Sequence, residues 1–121
     1  MGDRCLIISE NRPEWMITDL SIMLAKGITV PVYTTYTERD YEYIIDDCKP
    51  AVIFVSDFIQ YRKIENIIKK KNYIKKIISF ESLNKTDSYL IQDIEKIFSK
   101  QNYDANKFSK VEIKRKDIYC I

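Results

Sequence analysis

The sequence predicts an α/β fold, a mainly parallel sheet with flanking helices. Two observations carry this. Short apolar runs such as Leu6-Ile7-Ile8 and Val52-Ile53-Phe54-Val55 recur almost from end to end. Between them lie longer segments whose apolar residues return at helical spacing, bounded by capping residues, glycine or proline. Strands alternating with helices build βαβ units, whose crossovers are right-handed.

A first strand is predicted over 6–9. The stretch Ser-Glu-Asn-Arg-Pro-Glu-Trp, residues 9–15, then reads as a strand-to-helix joint. Asn11 is the expected N-cap, Glu14 three residues on would complete a capping box, and Pro13 sits in a first turn that needs no N–H from it. The helix over 12–26 is expected to stack Met16, Leu20, Met23 and Leu24 on its inward face, with Gly27 as the left-handed C-cap. A second strand follows over 29–33, and Thr37 with Asp40 makes another capping box. The next helix should turn Tyr41, Ile44, Ile45 and Cys48 inward and Glu38, Glu42 and Asp46 outward, until Pro50 stops it.

A third strand over 51–56 is apolar on consecutive residues, as a strand covered on both faces should be. A helix over 58–71 presents Tyr61, Ile64, Ile67 and Ile68, and a fourth strand is expected over 77–80. Residues 88–99 read as a helix carrying Ile91, Ile94 and Phe98, 101–116 as a polar loop, and 117–121, around Tyr119, as the start of a fifth strand.

At 121 residues the chain is one domain or part of one. It is 45% hydrophobic, enough to build a core, and its net charge of +2 is too slight to imply a nucleic-acid partner. There is no histidine, which excludes Ser-His and Cys-His triads and His-ligated metals. Cys5, Cys48 and Cys120 are widely spaced in apolar settings and read as buried free thiols in a reducing compartment. The N-terminus lacks a signal-peptide core, and Leu6 breaks the myristoylation pattern. No apolar run reaches membrane-spanning length, so the expected place is the cytoplasm, with room for peripheral attachment to a membrane.

Chemistry in such sheets sits at the carboxyl ends of the strands, where glycine-rich loops bring backbone amides to phosphates. Only Gly2 and Gly27 are present, and neither opens such a loop. Asp46-Asp47 is a candidate carboxylate pair, but adjacent residues do not share a helical face, and two solvated carboxylates explain it more simply. Lys69-Lys70-Lys71 with Lys75-Lys76 would suit anionic lipid or nucleic acid; cations near a helix C-terminus are the simpler reading. Trp15 and the tyrosines read as core or its rim, and Thr34, Thr35 and Thr37 as a hydroxyl-rich turn before a helix.

Residues 2–57 carry, in order, a Gly-Asp-Arg strand start, the Ser-Glu-Asn-Arg-Pro-Glu-Trp joint, a Val-Pro-Val-Tyr strand, a Thr-initiated helix with a Tyr-Ile pair and a Val-Ser-Asp strand end. This order resembles the adenylate-forming (AMP-binding) superfamily, specifically the long-chain fatty-acid–CoA ligases. The resemblance implies that residues 1–121 are part of the large N-terminal domain, truncated at both ends, and that the joint is scaffold. It also implies that the strand at 117–121 would lead into a Ser/Thr/Gly-rich loop gripping ATP phosphates, which this sequence stops short of. The family's adenine motif, ribose-binding aspartate and catalytic lysine likewise have no counterparts here. No residue is therefore assigned a catalytic, cofactor-binding or metal-ligating role.

For a full-length relative the resemblance implies fatty-acid metabolism: ATP-dependent acyl adenylation, then thioester formation with CoA, with magnesium on the phosphates. For this chain it implies an inactive piece of a ligase that self-associates or needs the complementing remainder. The alternative is a stand-alone α/β interaction module, or a degraded-gene product, without catalysis.

Overall fold

The structure is a computed structural model that describes residues 2–83, 91–100, 104, 106, 109–112, 114, 117–118 and 120–121. Strands β1 (Arg4–Ile8), β2 (Ile28–Val32), β3 (Val52–Val55), β4 (Lys76–Ser79) and β5 (Ile91–Asp93) alternate with helices α1 (Pro13–Leu24), α2 (Glu38–Cys48) and α3 (Phe58–Ile68), and β5 leads directly into α4 (Ile94–Ser99). All strand pairs are parallel, in the order β2-β1-β3-β4-β5. The predicted α/β class is the observed one.

Alternation along the strands sends side chains to two faces. Leu6, Ile8, Ile53, Val55 and Ile77 pack with Tyr41 and Ile45 of α2 and Tyr61 and Ile64 of α3 into the main core. Cys5 and Ile7 point the other way, against Ile22 of α1, with Trp15, Val52 and Phe54 partly buried around them. The third strand is thus sealed on one face and only partly covered on the other.

α2 forms as its sequence predicts. The Asp40 N–H donates to Thr37 Oγ1 at 3.3 Å and the Thr37 N–H returns a bond to Asp40 Oδ2 at 2.9 Å. The Thr37 hydroxyl also donates to Asp40 Oδ2 at 2.7 Å, and this bond, with the one from the Thr37 N–H, holds the exposed Asp40 carboxyl below its ordinary range. Tyr41 and Ile45 are buried, Ile44 and Cys48 half-buried, and the helix ends at Lys49 in the left-handed region (φ 44°), just before Pro50.

α1 departs from expectation in three ways. Its N-cap is Arg12, not Asn11, and no side chain caps it. Glu14 cannot reach back to close a box because both its oxygens accept from the Arg12 guanidinium, at 2.9 and 3.1 Å. Arg12 also donates to Glu81 at 2.9 Å and lies 5.8 Å from the centre of the Phe80 ring, tying the joint to the end of β4. Second, the buried residues are Thr18 and Ile22, whereas Met16, Leu20 and Leu24 are exposed and Met23 is half-buried.

Third, the left-handed residue after α1 is Lys26 (φ 57°), not Gly27. The Lys26 N–H donates to the Met23 carbonyl and the Gly27 N–H to the Ile22 carbonyl, each at 2.9 Å, which is a Schellman ending with lysine where glycine is usual. Gly27 is needed for closeness instead. A Cβ there would stand 2.9 Å from Ile22 Cγ2 and 3.2 Å from the Asp3 carbonyl oxygen.

The largest change of element lies at 88–99. Residues 88–90 fall outside the described set, but Ile91–Asp93 is a strand in register with Ile77–Ser79, and only Ile94–Ser99 is helical. Ile91 is therefore a strand residue in the main core. Of the strand expected at 117–121, Tyr119 lies outside the described residues. Cys120 makes a single parallel bridge to Thr29 on the free edge of β2, and the Ile121 N–H donates to the Thr29 carbonyl at 3.0 Å. Most of the predicted loop at 101–116 also lies outside the described residues. The three cysteines are free; Cys5 is buried and Cys48 half-buried, but Cys120 is exposed, contrary to the reading of three buried thiols.

Candidate functional site

The chain passes from β1 to β2 on one side and returns past β1 to β3 on the other, so the strand order reverses between β1 and β3. Open parallel sheets bind ligands outside the carboxyl ends at such a reversal. Here that rim consists of Ser9-Glu10-Asn11 after β1, Tyr33-Thr34-Thr35 after β2 and Ser56-Asp57 after β3. Ser9, Glu10, Asn11, Trp15, Tyr33 and Thr34, with Pro31 and Val32, line a cavity of about 400 Å³.

Local chemistry fixes each part of the rim. Asp57 caps α3, its Oδ1 accepting the Gln60 N–H at 2.9 Å. That cap sets Gln60 under the rim, 5% exposed, where Nε2 donates to Glu10 Oε1 at 3.4 Å. Gln60 Oε1 and the buried Ser56 and Ser79 hydroxyls have no hydrogen-bond partner among the described residues. Tyr41 donates its hydroxyl to the Tyr33 carbonyl at 2.8 Å, and burial pushes its phenol up to about 12. Tyr36 stands edge-on to both Tyr33 and Tyr41, with centroids 5.6 and 6.0 Å away.

The resemblance described above implies a nucleotide, and this rim does not fit a triphosphate. The cavity offers one carboxylate, Glu10, together with hydroxyl and amide groups. The nearby cations are engaged: Arg12 by Glu14 and Glu81, and Lys63 by the Thr34 carbonyl. Gly2 and Gly27, the two glycines, precede β1 and β2 and so lie on the opposite edge, away from any phosphate cradle. No group of three or more Cys, Asp or Glu among the described residues is placed to hold a metal ion.

The residues singled out from sequence do not converge. Asp46 accepts from Lys71 and from the Tyr73 hydroxyl at the far end of α2, chiefly by the Lys71 bond held below its ordinary range, while Asp47 is exposed. Thr34 lines the rim cavity, Thr35 is exposed and Thr37 serves its helix. Trp15 forms one wall of the cavity and packs against the cluster of Cys5, Ile7 and Ile22. Glu10 and Gln60 carried no signal in the sequence, because 50 residues separate them.

With this geometry in view, the comparisons decide the family. The sequence model of the AMP-binding enzymes matches residues 1–121. The chain belongs to the AMP-binding enzyme family. It is 36% identical over 53 residues to the long-chain-fatty-acid–CoA ligase FadD15 of Mycobacterium tuberculosis, covering 44% of this chain and 9% of that protein. It is 32% identical over 75 residues to the long-chain-fatty-acid–CoA ligase ACSBG1 of Homo sapiens, covering 62% and 10%. Among solved structures, the coronafacic acid ligase of Pectobacterium brasiliense superposes with a TM-score of 0.85 at 19% identity, over 99% of this chain and 23% of that one. The luciferase-like enzyme of Zophobas morio gives 0.79 at 18% identity, over 98% and 26%. These two likenesses establish the fold alone. The chain spans about a tenth of the length of the curated relatives it matches.

Proposed function

We propose that this chain is scaffold from the N-terminal domain of an ATP-dependent long-chain acyl-CoA ligase and is inactive by itself. The observation that carries the proposal is the carboxyl-end rim, which has the strand reversal of a ligand-binding sheet but engaged cations and no glycine-rich loop. The joint at 9–15 serves to hold β1, α1 and β4 together through Arg12. The reaction of such a ligase, joining a fatty acid to CoA at the expense of ATP with magnesium on the phosphates, is carried out by residues outside this chain.

Among the described residues no helix is long and apolar enough to cross a membrane. We place the protein in the cytoplasm, with access to membrane surfaces where long-chain fatty acids collect. The remainder of the ligase, or a second copy of this chain, covers the exposed α1 side chains Met16, Ile17, Leu20 and Leu24. The test is pyrophosphate release by the purified chain given ATP, magnesium, palmitate and CoA. No release above the protein-free rate is expected; release that depends on the fatty acid overturns the proposal.

A further inference from the structure

The rim cavity joins a carboxylate to aromatic walls. Glu10 lines it together with Trp15 and Tyr33, and Pro31 and Val32 supply apolar surface. Its volume of about 400 Å³ lies within the range that small ligands occupy. Separate contacts hold each group in place. Gln60, itself positioned by the Asp57 cap of α3, donates from Nε2 to Glu10 Oε1 at 3.4 Å. Trp15 is anchored against the cluster of Cys5, Ile7 and Ile22. The Tyr33 carbonyl accepts the Tyr41 hydroxyl at 2.8 Å, and Tyr36 stands edge-on to the Tyr33 ring. Tyr33 is nevertheless 72% exposed, so the core gains little from it.

The charges around the cavity favour a cation. Glu10 makes no ion pair among the described residues. The described segments that follow β1 to β4 (9–12, 33–37, 56–57 and 80–83) carry Glu10, Asp57 and Glu81, with Arg12 as their one cation. Arg12 is engaged by two carboxylates, Glu14 and Glu81, so that trio is itself net negative. Lys63 donates to the Thr34 carbonyl but does not line the cavity.

A carboxylate without a counter-ion beside tryptophan and tyrosine is the set of groups that attracts an organic cation. The electron-rich ring faces draw positive charge, and the carboxylate neutralises it. A hard metal ion would need a full shell of oxygens, and Glu10 is the cavity's only carboxylate. We propose that the rim cavity binds a small organic cation of the quaternary-ammonium class, Glu10 supplying the counter-charge and Trp15 and Tyr33 the aromatic walls. This site is additional to the ligase proposal, and the same rim that suits a cation repels a triphosphate.

Trp15 is the chain's only tryptophan, so its fluorescence reports directly on the cavity. Titrating the full chain with choline chloride, against sodium chloride at matched ionic strength, should change that emission saturably over the millimolar range. The uncharged alcohol in which carbon replaces the choline nitrogen should produce no saturable change. Glu10→Gln should weaken choline binding about fivefold and Tyr33→Ala roughly threefold. Both side chains are exposed, so the denaturant midpoint should hardly move, which separates lost binding from lost fold. Four outcomes overturn the proposal: no saturable change with choline, an equal response to the uncharged alcohol, unchanged binding in either variant, or displacement of choline by equimolar magnesium chloride. The pyrophosphate assay reads the ligase proposal separately, since choline binding needs no catalysis.

Discussion

On the α2/α3 side of the sheet, Leu6, Ile8, Ile53 and Val55 are sealed beneath Tyr41, Ile45, Tyr61 and Ile64. On the α1 side, Cys5 and Ile7 lie under Ile22 and part of Trp15, while Val52 and Phe54 remain partly open. The difference lies in the helices. α2 is strongly amphipathic, with Glu38, Glu42 and Asp46 in water. α1 is apolar around most of its girth, with Trp15 and Ile22 on the sheet and Met16, Ile17, Leu20 and Leu24 outside. A helix of that kind suits burial on two sides. One face of the sheet is closed over by α2 and α3, and the other is left partly open beneath an α1 whose Met16, Ile17, Leu20 and Leu24 are exposed.

The largest expected effect is on the closed face. Ile53→Ala removes a fully buried side chain between α2 and α3 and should cost about 4 kcal/mol, read as a fall in the denaturant midpoint. Ile22→Ala or Trp15→Ala, beneath the open face, should each cost about 2 kcal/mol, because α1 has freedom to settle and Trp15 is only half-buried. Equal losses on the two faces would break the comparison.

Alkaline titration probes both faces in one experiment. Burial, aided by Asp3, pushes the Cys5 thiol from its ordinary 9.0 up to about 11, and burial, aided by Tyr36, pushes the Tyr41 phenol from 10.0 up to about 12. Each group is neutral when protonated and its folded value is raised. Its stabilisation is therefore complete below the ordinary value and lost as pH rises through the folded one. The α1 face, reported by Trp15 fluorescence, should loosen near pH 11 before the Tyr41 side gives way near pH 12. Loss of both in a single step below pH 9.0 would contradict this order.

Smaller effects distinguish the two helix starts. Thr37→Ala should cost about 1 kcal/mol through the loss of its capping box, whereas Asn11→Ala, outside the α1 cap, should leave the midpoint within about 0.5 kcal/mol. The smallest stability change belongs to the exposed side of α1. Leu20→Ser should move the midpoint by less than about 0.5 kcal/mol yet reduce the self-association seen by sedimentation across a concentration series. A wild-type chain that stays monomeric at high concentration would remove the need for a partner on α1.

What the sequence determined by itself was whatever local chemistry decides. Thr37 and Asp40 are neighbours in the chain, so their capping box was legible before any tertiary contact. The spacing of Tyr41 and Ile45, and of Tyr61, Ile64 and Ile68, likewise announced the inward faces of α2 and α3. With the alternating apolar runs, these were enough for the parallel sheet. Tertiary structure decided the rest. The α1 face was illegible because a helix apolar on most sides has no single preferred stripe. Asn11 lost the cap because Arg12 engages Glu14 beside it and Glu81, 69 residues away. Ile91 became a strand because a short apolar run takes its form from its neighbours, here Ile77 in β4. The rim depends on Glu10 meeting Gln60 across the strand reversal, a contact set by chain crossover that no local pattern encodes.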